Sequence, residues 1–180
     1  ERFWLVDPLD GTKEFLSHNG EFTVNIALVE SGTPTLGVVH LPAVGLTYLG
    51  APGVASMTDG GTAPRPLGVV DAPSDGIRAL VSRSHLDPDT EHWLAGVDVA
   101  SYVQAGSSLK FCRIAEGAAD VYPRFGRTME WDTAAGHAVL VAAGGSVRTT
   151  SGEPLGYAKP GFENPPFIAY GGTSSLRSRA

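Results

Sequence analysis

Two carboxylates three residues apart follow an apolar run near the start of the chain, where residues 3–12 read FWLVDPLDGT. Carboxylate oxygens are the ligands that hard cations prefer. A tight turn between Asp7 and Asp10 would let both bind one cation and would also aim the Leu9 carbonyl at it, so the segment predicts a metal site. Asp-Gly and Pro are common in β-turns as well, so a plain turn is the alternative interpretation.

A third acidic position lies far along the chain, where residues 129–140 read MEWDTAAGHAVL. Asp132 precedes an apolar segment that predicts a buried helix, and Asp is a favoured helix N-cap. The helix dipole stabilises the charged form of a carboxylate at this end, which also prepares it to bind a metal. The pattern therefore fits a simple helix cap, a metal ligand, or both.

The elements around the first two carboxylates predict an antiparallel meander. Residues 3–6 lack alternation and predict a short strand buried on both faces, which ends at Asp7. The next strand, residues 21–29, alternates, with Phe22, Val24, Ile26 and Leu28 on one face and Thr23 and Asn25 on the other. Further strands are predicted over residues 35–41, 45–50 and 54–57.

The second half of the chain alternates strands and helices. A cluster of Pro, Asp and Gly at residues 71–76 marks the boundary. Asp87 as N-cap and Pro88 at the first helical position predict a helix to about residue 95. Strands are expected over residues 77–81, 97–103, 120–122, 146–149 and 167–170, with further helices through Ala115 and after Asp132. The domain prediction is an α+β metal-binding half (1–73), an α/β substrate-binding half (74–170) and a disordered tail (171–180).

Composition is typical of a packed enzyme domain: 180 residues, 42% hydrophobic and 18% charged, with a net charge of −6. The negative charge argues against nonspecific binding to nucleic acid polymers. The single cysteine, Cys112, is expected to be a buried thiol in a reducing compartment.

No apolar run approaches the roughly 20 residues needed to span a bilayer, so we expect a cytoplasmic protein. The three tryptophans, Trp4, Trp93 and Trp131, are expected to pack in the core.

The DPLDGT and WDTAAG segments together resemble the paired signatures of the inositol monophosphatase superfamily, the lithium-sensitive, magnesium-dependent phosphatases. Three more stretches, residues 19–28, 82–85 and 106–126, resemble the CysQ-type 3′(2′),5′-bisphosphate nucleotidases within it. The resemblance implies an α/β fold layered as an αβαβα sandwich of the sugar phosphatase type. It also implies hydrolysis of 3′-phosphoadenosine 5′-phosphate to AMP with two or three Mg²⁺ ions, inhibited by Li⁺.

The resemblance also implies roles for individual residues. Metal binding falls to Asp7, Asp10, Asp132 and the Leu9 carbonyl. Gly11 and Thr12 hold phosphate. Thr12 and Asp7 are the catalytic residues, and Thr12 helps to orient the attacking water with an Asp that the family carries in a preceding segment. The substrate is expected to contact Ser82, His85, Gly106, Lys110 and Asp132. Arg124 and Arg127 flank a loop before Asp132, where they meet either a phosphate or solvent.

Glu1 lies only two residues before the first predicted strand, whereas the family carries a preceding segment that supplies a further acidic ligand. We therefore expect a chain truncated at its N-terminus. The alternatives are an inositol or sugar phosphate phosphatase, a non-catalytic nucleotide-binding module, and a fragment that does not fold alone. The oligomeric state stays open, with a homodimer among the options.

Overall fold

A computed structural model describes residues 1–82 and 87–172 of the chain. The first six strands form one antiparallel sheet in chain order, as the meander predicted: β1 (Arg2–Asp10), β2 (Thr23–Glu30), β3 (Thr33–Leu41), β4 (Leu46–Ala51), β5 (Val54–Asp59) and β6 (Arg65–Pro66). The five-residue helix α1 (Thr12–Leu16) follows β1 directly.

The second sheet has five strands in the order β10-β11-β9-β7-β8. Strand β7 runs parallel to both β8 and β9, whereas β11 is antiparallel to β9 and β10. These strands are β7 (Ile77–Ser82), β8 (Val99–Ala105), β9 (Val121–Arg124), β10 (Ser146–Thr149) and β11 (Phe167–Tyr170). The sheet is therefore mixed, and its alternation with helices follows the sequence prediction.

Within the described residues, three further α-helices separate and cover the sheets: α2 (Pro88–Ala95), α3 (Leu109–Ala115) and α4 (Glu130–Ala142). Helix α4 packs across the first sheet and against α3, and α3 contacts β9 of the second sheet. The main core joins both sheets through these two helices. A smaller core under α2 covers the opposite face of the second sheet. The layers are thus sheet, helices, sheet and helix.

The first strand differs from its prediction, because only one of its faces is buried. Leu5 is 8% exposed, whereas Trp4 and Val6 are 58% and 52% exposed. Strand β1 is the edge of its sheet, and its pleat turns alternate side chains away from α4. The expectation that Trp4 packs in the core is therefore wrong, while Trp93 and Trp131 are partly buried against the two cores.

Strand β2 shows the two predicted faces, and its polar face is the buried one. Thr23 and Asn25 are 0% and 1% exposed, whereas Ile26 on the opposite face is 37% exposed. Asn25 is buried beneath the acidic residues described below, where its amide forms hydrogen bonds.

Two local predictions are confirmed in detail. Helix α2 begins after Asp87, whose side chain accepts a hydrogen bond from Thr90 N at 2.9 Å. Cys112 is fully buried in α3, where burial raises the pKa of its thiol. Across the part of the chain that the structure describes, no helix is both long and apolar enough to cross a membrane. His85 and residues 173–180 of the predicted tail lie outside the described residues.

Candidate active site

Three carboxylates converge between the first sheet and α4. One carboxylate oxygen from each of Asp7, Asp10 and Asp132 lies within 4.8 Å of the others. Asp7 and Asp10 come from the end of β1, and Asp132 comes from the first turn of α4. Asp10 and Asp132 are 122 residues apart in the sequence. Oxygen ligands at this spacing fit a hard divalent cation such as Mg²⁺.

Asp7 and Asp10 are brought together by a bulge in β1 rather than by the turn that the sequence predicted. Asp7 pairs with Asn25 and Asp10 pairs with Thr23, so one extra residue is accommodated on β1 between them. The extra residue bends the strand and re-aims its side chains. Pro8 lies in the bulge, where its missing N–H removes no essential ladder bond. Leu9 N donates to Asp7 Oδ1 at 3.0 Å and fixes that carboxylate.

Asp132 is the third residue of α4 and not its N-cap, which corrects the sequence prediction. The N-cap is Met129, and Asp132 Oδ2 accepts a hydrogen bond from Met129 N at 2.7 Å. This is the carboxylate half of a capping box. The side chain therefore caps the helix with one oxygen while its carboxylate faces Asp7 and Asp10.

The buried carboxylate of Glu130 fixes the first turn of α4 to a neighbouring loop. Glu130 is 0% exposed and accepts hydrogen bonds from Ala158 N and Lys159 N, both at 2.9 Å. Lys159 Nζ also pairs with Glu130 Oε1 at 2.7 Å. These bonds tie the loop before β11 to the helix turn that carries Asp132.

The cluster carries more negative charge than its surroundings compensate. Burial raises the pKa of Asp132 to about 6 against the Met129 hydrogen bond, and the charges of Asp10 and Asp7 raise it further. Burial also raises the pKa of Asp7, against the Leu9 hydrogen bond. Carboxylates whose pKa is raised by burial and by one another, at the edge of a cleft, are typical of functional sites. A bound cation would relieve this repulsion.

A cavity of about 160 Å³ opens beside the carboxylates and carries two cationic side chains, Lys110 and Arg124. Lys110 is 7% exposed; its Nζ donates to Ser107 O at 3.2 Å and lies 5.3 Å from the centre of the Tyr122 ring. Arg124 Nη2 donates to Arg127 O at 3.1 Å, but its buried Nε has no hydrogen-bond partner among the described residues. The cavity therefore offers positive charge to an anion next to a cluster of carboxylates.

Of the other predicted site residues that the structure describes, Gly11 lines the cavity, whereas Thr12, Ser82 and Gly106 do not. Gly11 lines it in a left-handed conformation with a φ of 85°, which favours glycine, and Thr12 begins α1 next to it. Ser82 and Ala105 are paired at the carboxyl ends of β7 and β8, so Gly106 lies at the same sheet edge. The Gly106 N–H donates to Glu21 Oε2 at 2.8 Å.

Sequence reasoning missed several polar residues that support the site. Asn25 and Ser108 are buried next to Asp10 and form hydrogen bonds with it, and Glu14 lines the cavity. The polar face of β2 was the available signal for Asn25. The signal for Ser108 was its place just before a helix that carries Lys110. Neither pattern shows which distant residue such a side chain will meet.

Comparison with known proteins identifies the class to which this fold and site belong. The chain belongs to the inositol monophosphatase family, whose sequence model matches residues 1–174. A curated relative is the 3′(2′),5′-bisphosphate nucleotidase CysQ of Escherichia coli K12, which is 49% identical over 93% of this chain and 67% of its own length. The chain thus spans about two thirds of that relative.

Solved structures agree with this assignment. The crystal structure of CysQ from Bacteroides thetaiotaomicron superposes with a TM-score of 0.86 at 43% identity, over 94% of this chain and 70% of that one. An inositol monophosphatase from Anabaena superposes with a TM-score of 0.77 at 28% identity, over 96% and 71%. The predicted family and fold class are confirmed.

Proposed function

We propose that this protein is a magnesium-dependent phosphatase that converts 3′-phosphoadenosine 5′-phosphate to AMP and phosphate. The observation that carries the proposal is the cluster of Asp7, Asp10 and Asp132 beside a cavity that holds Lys110 and Arg124. The 49% identity to a CysQ nucleotidase supports this substrate over other phosphate monoesters. In the reaction, water attacks phosphorus, the bond from phosphorus to O3′ breaks, and the leaving oxygen takes a proton.

The three carboxylates would hold the metal, with the Leu9 carbonyl as a fourth ligand in our proposal. Bound divalent ions supply the chemistry that phosphate monoesters need, by lowering the pKa of water and neutralising the oxygen that leaves. We propose Mg²⁺, in two or three sites, because the carboxylates are hard oxygen ligands. The family resemblance also leads us to expect inhibition by Li⁺.

Around the reacting phosphate, we propose that the Gly11 and Thr12 backbone binds phosphate oxygens. The Thr12 hydroxyl would help to orient the attacking water, and Asp7 would be the second catalytic residue. Gly11 suits this role because it lines the cavity and lacks a side chain, which lets a ligand approach the backbone.

For substrate selection, we propose that the cationic wall of the cavity binds the second phosphate. Lys110 and Arg124 are the two cationic side chains among its described lining residues. Arg124 is suited to the task because its guanidinium can bind phosphate through two hydrogen bonds, and its Nε is buried without a partner in the described chain. Ser82, His85 and Gly106 are proposed to contact the nucleoside.

Phosphate release from 3′-phosphoadenosine 5′-phosphate tests this function. Release should require Mg²⁺, exceed release from inositol 1-phosphate, and disappear in an Asp132→Asn variant purified in parallel. Faster release from inositol 1-phosphate would favour an inositol phosphatase, whose metal ligands would be the same. Nucleotide binding without turnover would favour a non-catalytic module.

Two further features of the protein are part of the same proposal. The one cysteine is a buried thiol, which fits a reducing compartment, and we propose the cytoplasm. A homodimer stays a prediction, which sedimentation velocity at micromolar concentration tests directly.

A further inference from the structure

Ser108 occupies a central position in the candidate metal site, although it is not one of the three acidic residues. It is the residue before α3 and is 1% exposed. Its hydroxyl lies 2.9 Å from Asp10 Oδ2 and 2.7 Å from the main-chain oxygen of Asp132. One side chain thus touches both the β1 part and the α4 part of the carboxylate cluster.

The side-chain amide of Asn25 determines the direction of the hydrogen bonds that the Ser108 hydroxyl forms. Asn25 Nδ2 donates to Ser108 Oγ at 2.8 Å, so the hydroxyl accepts from that side. Its single proton then goes to Asp10 or to the Asp132 carbonyl, both of which only accept when Asp10 is ionised. Asn25 Oδ1 has no hydrogen-bond partner within the described ranges, so the amide is held entirely through its donor atom.

The hydrogen bonds to Asp10 are strongly one-sided. Oδ2 receives the Ser108 N–H at 2.8 Å, the Ser108 hydroxyl at 2.9 Å, Asn25 Nδ2 at 3.2 Å and the Thr23 hydroxyl at 3.3 Å. Every hydrogen bond that this carboxylate accepts from residues 1–82 and 87–172 ends at Oδ2. The carboxylate is therefore fixed in orientation, and Oδ1 is the oxygen left to bind a cation.

We propose that Ser108 is a positioning residue that sets the cation affinity of this site. Its N–H donates to Asp10, and its hydroxyl, which has one proton for Asp10 Oδ2 and the Asp132 carbonyl, lies against both. Together these groups keep Asp10 Oδ1 turned towards the cation. Groups that orient metal ligands typically change affinity ten- to a hundredfold when they are removed. This inference rests on the proposed function, because it takes the three carboxylates to be metal ligands.

The test compares cation binding by the intact protein and by its Ser108→Ala variant, which loses the hydroxyl and keeps the N–H. Isothermal titration calorimetry with Mn²⁺ and with Mg²⁺ should show binding about ten- to a hundredfold weaker in the variant. The matched control is Tyr48→Phe, which removes a buried hydroxyl that donates to Glu116 at the far end of α3. Its cation affinity should stay within twofold of wild type.

A second measurement separates positioning from a general loss of structure. At saturating Mg²⁺, the KM of Ser108→Ala for 3′-phosphoadenosine 5′-phosphate should stay within about twofold of wild type, while the Mg²⁺ concentration for half-maximal rate rises with the calorimetric Kd. If the alanine variant does not fold, Ser108→Cys replaces the hydroxyl by a thiol, a weak donor that still fills the space, and is measured in the same way.

The outcomes distinguish the inference from the function on which it rests. Wild-type binding together with unchanged affinity in both Ser108 variants would overturn the role of Ser108 and leave the phosphatase proposal standing. A folded wild-type protein that binds neither ion would overturn both. Weakening of equal size in Tyr48→Phe would also overturn the role, because the effect would then belong to any buried hydroxyl.

Discussion

Gly37 of β3 lies directly beneath Ala135 of α4, so closely that a Cβ atom on Gly37 would stand 2.2 Å from the Ala135 main-chain oxygen. Gly50 of β4 meets the same helix, with a Cβ position 2.4 Å from Val139 Cα. The helix that carries Asp132 therefore rests on backbone, without side chains between. This close approach fixes the distance between the helix turn that carries Asp132 and the sheet that carries Asp7 and Asp10.

The Gly37 contact predicts that Gly37→Ala destabilises the protein by about 2 to 3 kcal/mol, because neither backbone can yield without moving α4. Urea denaturation measures the change. Gly68→Ala is the matched control, since no atom of the described residues other than Gly68 and its chain neighbours lies within 4 Å of its Cβ position. It should leave stability unchanged or slightly higher. Equal losses in the two variants would contradict the packing argument.

Asp132→Asn should stabilise the metal-free protein while it abolishes the effect of Mg²⁺. The pKa of Asp132 is raised from 3.8 to about 6, so the folded state binds the extra proton between these values. Stability therefore falls as pH rises through that window. At pH 7.5 Asp132 is charged in the folded state, and its charge lowers the free energy of unfolding by the full amount. Asparagine keeps an oxygen for Met129 N and removes the charge.

Thermal melts at pH 7.5 without metal should show a midpoint roughly 2 to 4 °C higher for Asp132→Asn, the shift that about 1 kcal/mol gives in a chain of this size. Mg²⁺ should raise the wild-type midpoint and leave the variant unchanged. Asp120→Asn is the contrasting control, because Asp120 accepts bonds from Arg78 N at 2.7 Å and Nη2 at 2.6 Å. That variant should lose about 2 kcal/mol.

His137 predicts a pH dependence of the opposite sign. Burial lowers its pKa from 6.5 to about 4, and its Nδ1 lies 3.0 Å from the Tyr157 hydroxyl. Between those pH values the unfolded state binds the extra proton, so stability present at pH 7 is lost as pH falls. The loss amounts to at most about 3 kcal/mol by pH 4.

Asp132→Asn provides the background in which this slope is best measured, because the opposing titration of Asp132 is absent. Urea denaturation between pH 7 and 5 should show falling stability in Asp132→Asn. The slope should be shallower in the double variant with His137→Gln, since glutamine does not titrate. Identical slopes would show that His137 is not held neutral by burial.

Lys110→Ala should impair hydrolysis of 3′-phosphoadenosine 5′-phosphate more than that of inositol 1-phosphate. Lys110 is a buried cation in the cavity wall, so its loss removes a charge-assisted contact worth about 2 kcal/mol, or roughly thirtyfold in kcat/KM. Arg148→Ala removes an exposed cation whose described bond is to Gly152 O, and it should change neither rate. Equal losses on both substrates would contradict selection by Lys110.

The sequence by itself determined the local features of this protein. The acidic segments, the meander, the α2 cap at Asp87 and the buried thiol of Cys112 depend on short-range patterns and propensities. Those patterns, with the family resemblance, also pointed to the three carboxylates that the structure brings together. Local sequence was enough because Asp7 and Asp10 lie near the end of one strand and Asp132 lies in the first turn of one helix.

Only the tertiary structure decided which face of each element is buried and which distant groups meet. Trp4 is exposed because it lies on the face of β1 that is turned away from α4, which no local pattern encodes. The Asp7 to Asp10 segment is a bulge because its register is fixed by pairing with Asn25 and Thr23. Ser108 joins Asp10 to Asp132 because packing of α3 on α4 places it there. Contacts of this kind depend on the assembled layers, so their physical cause lies outside any single segment.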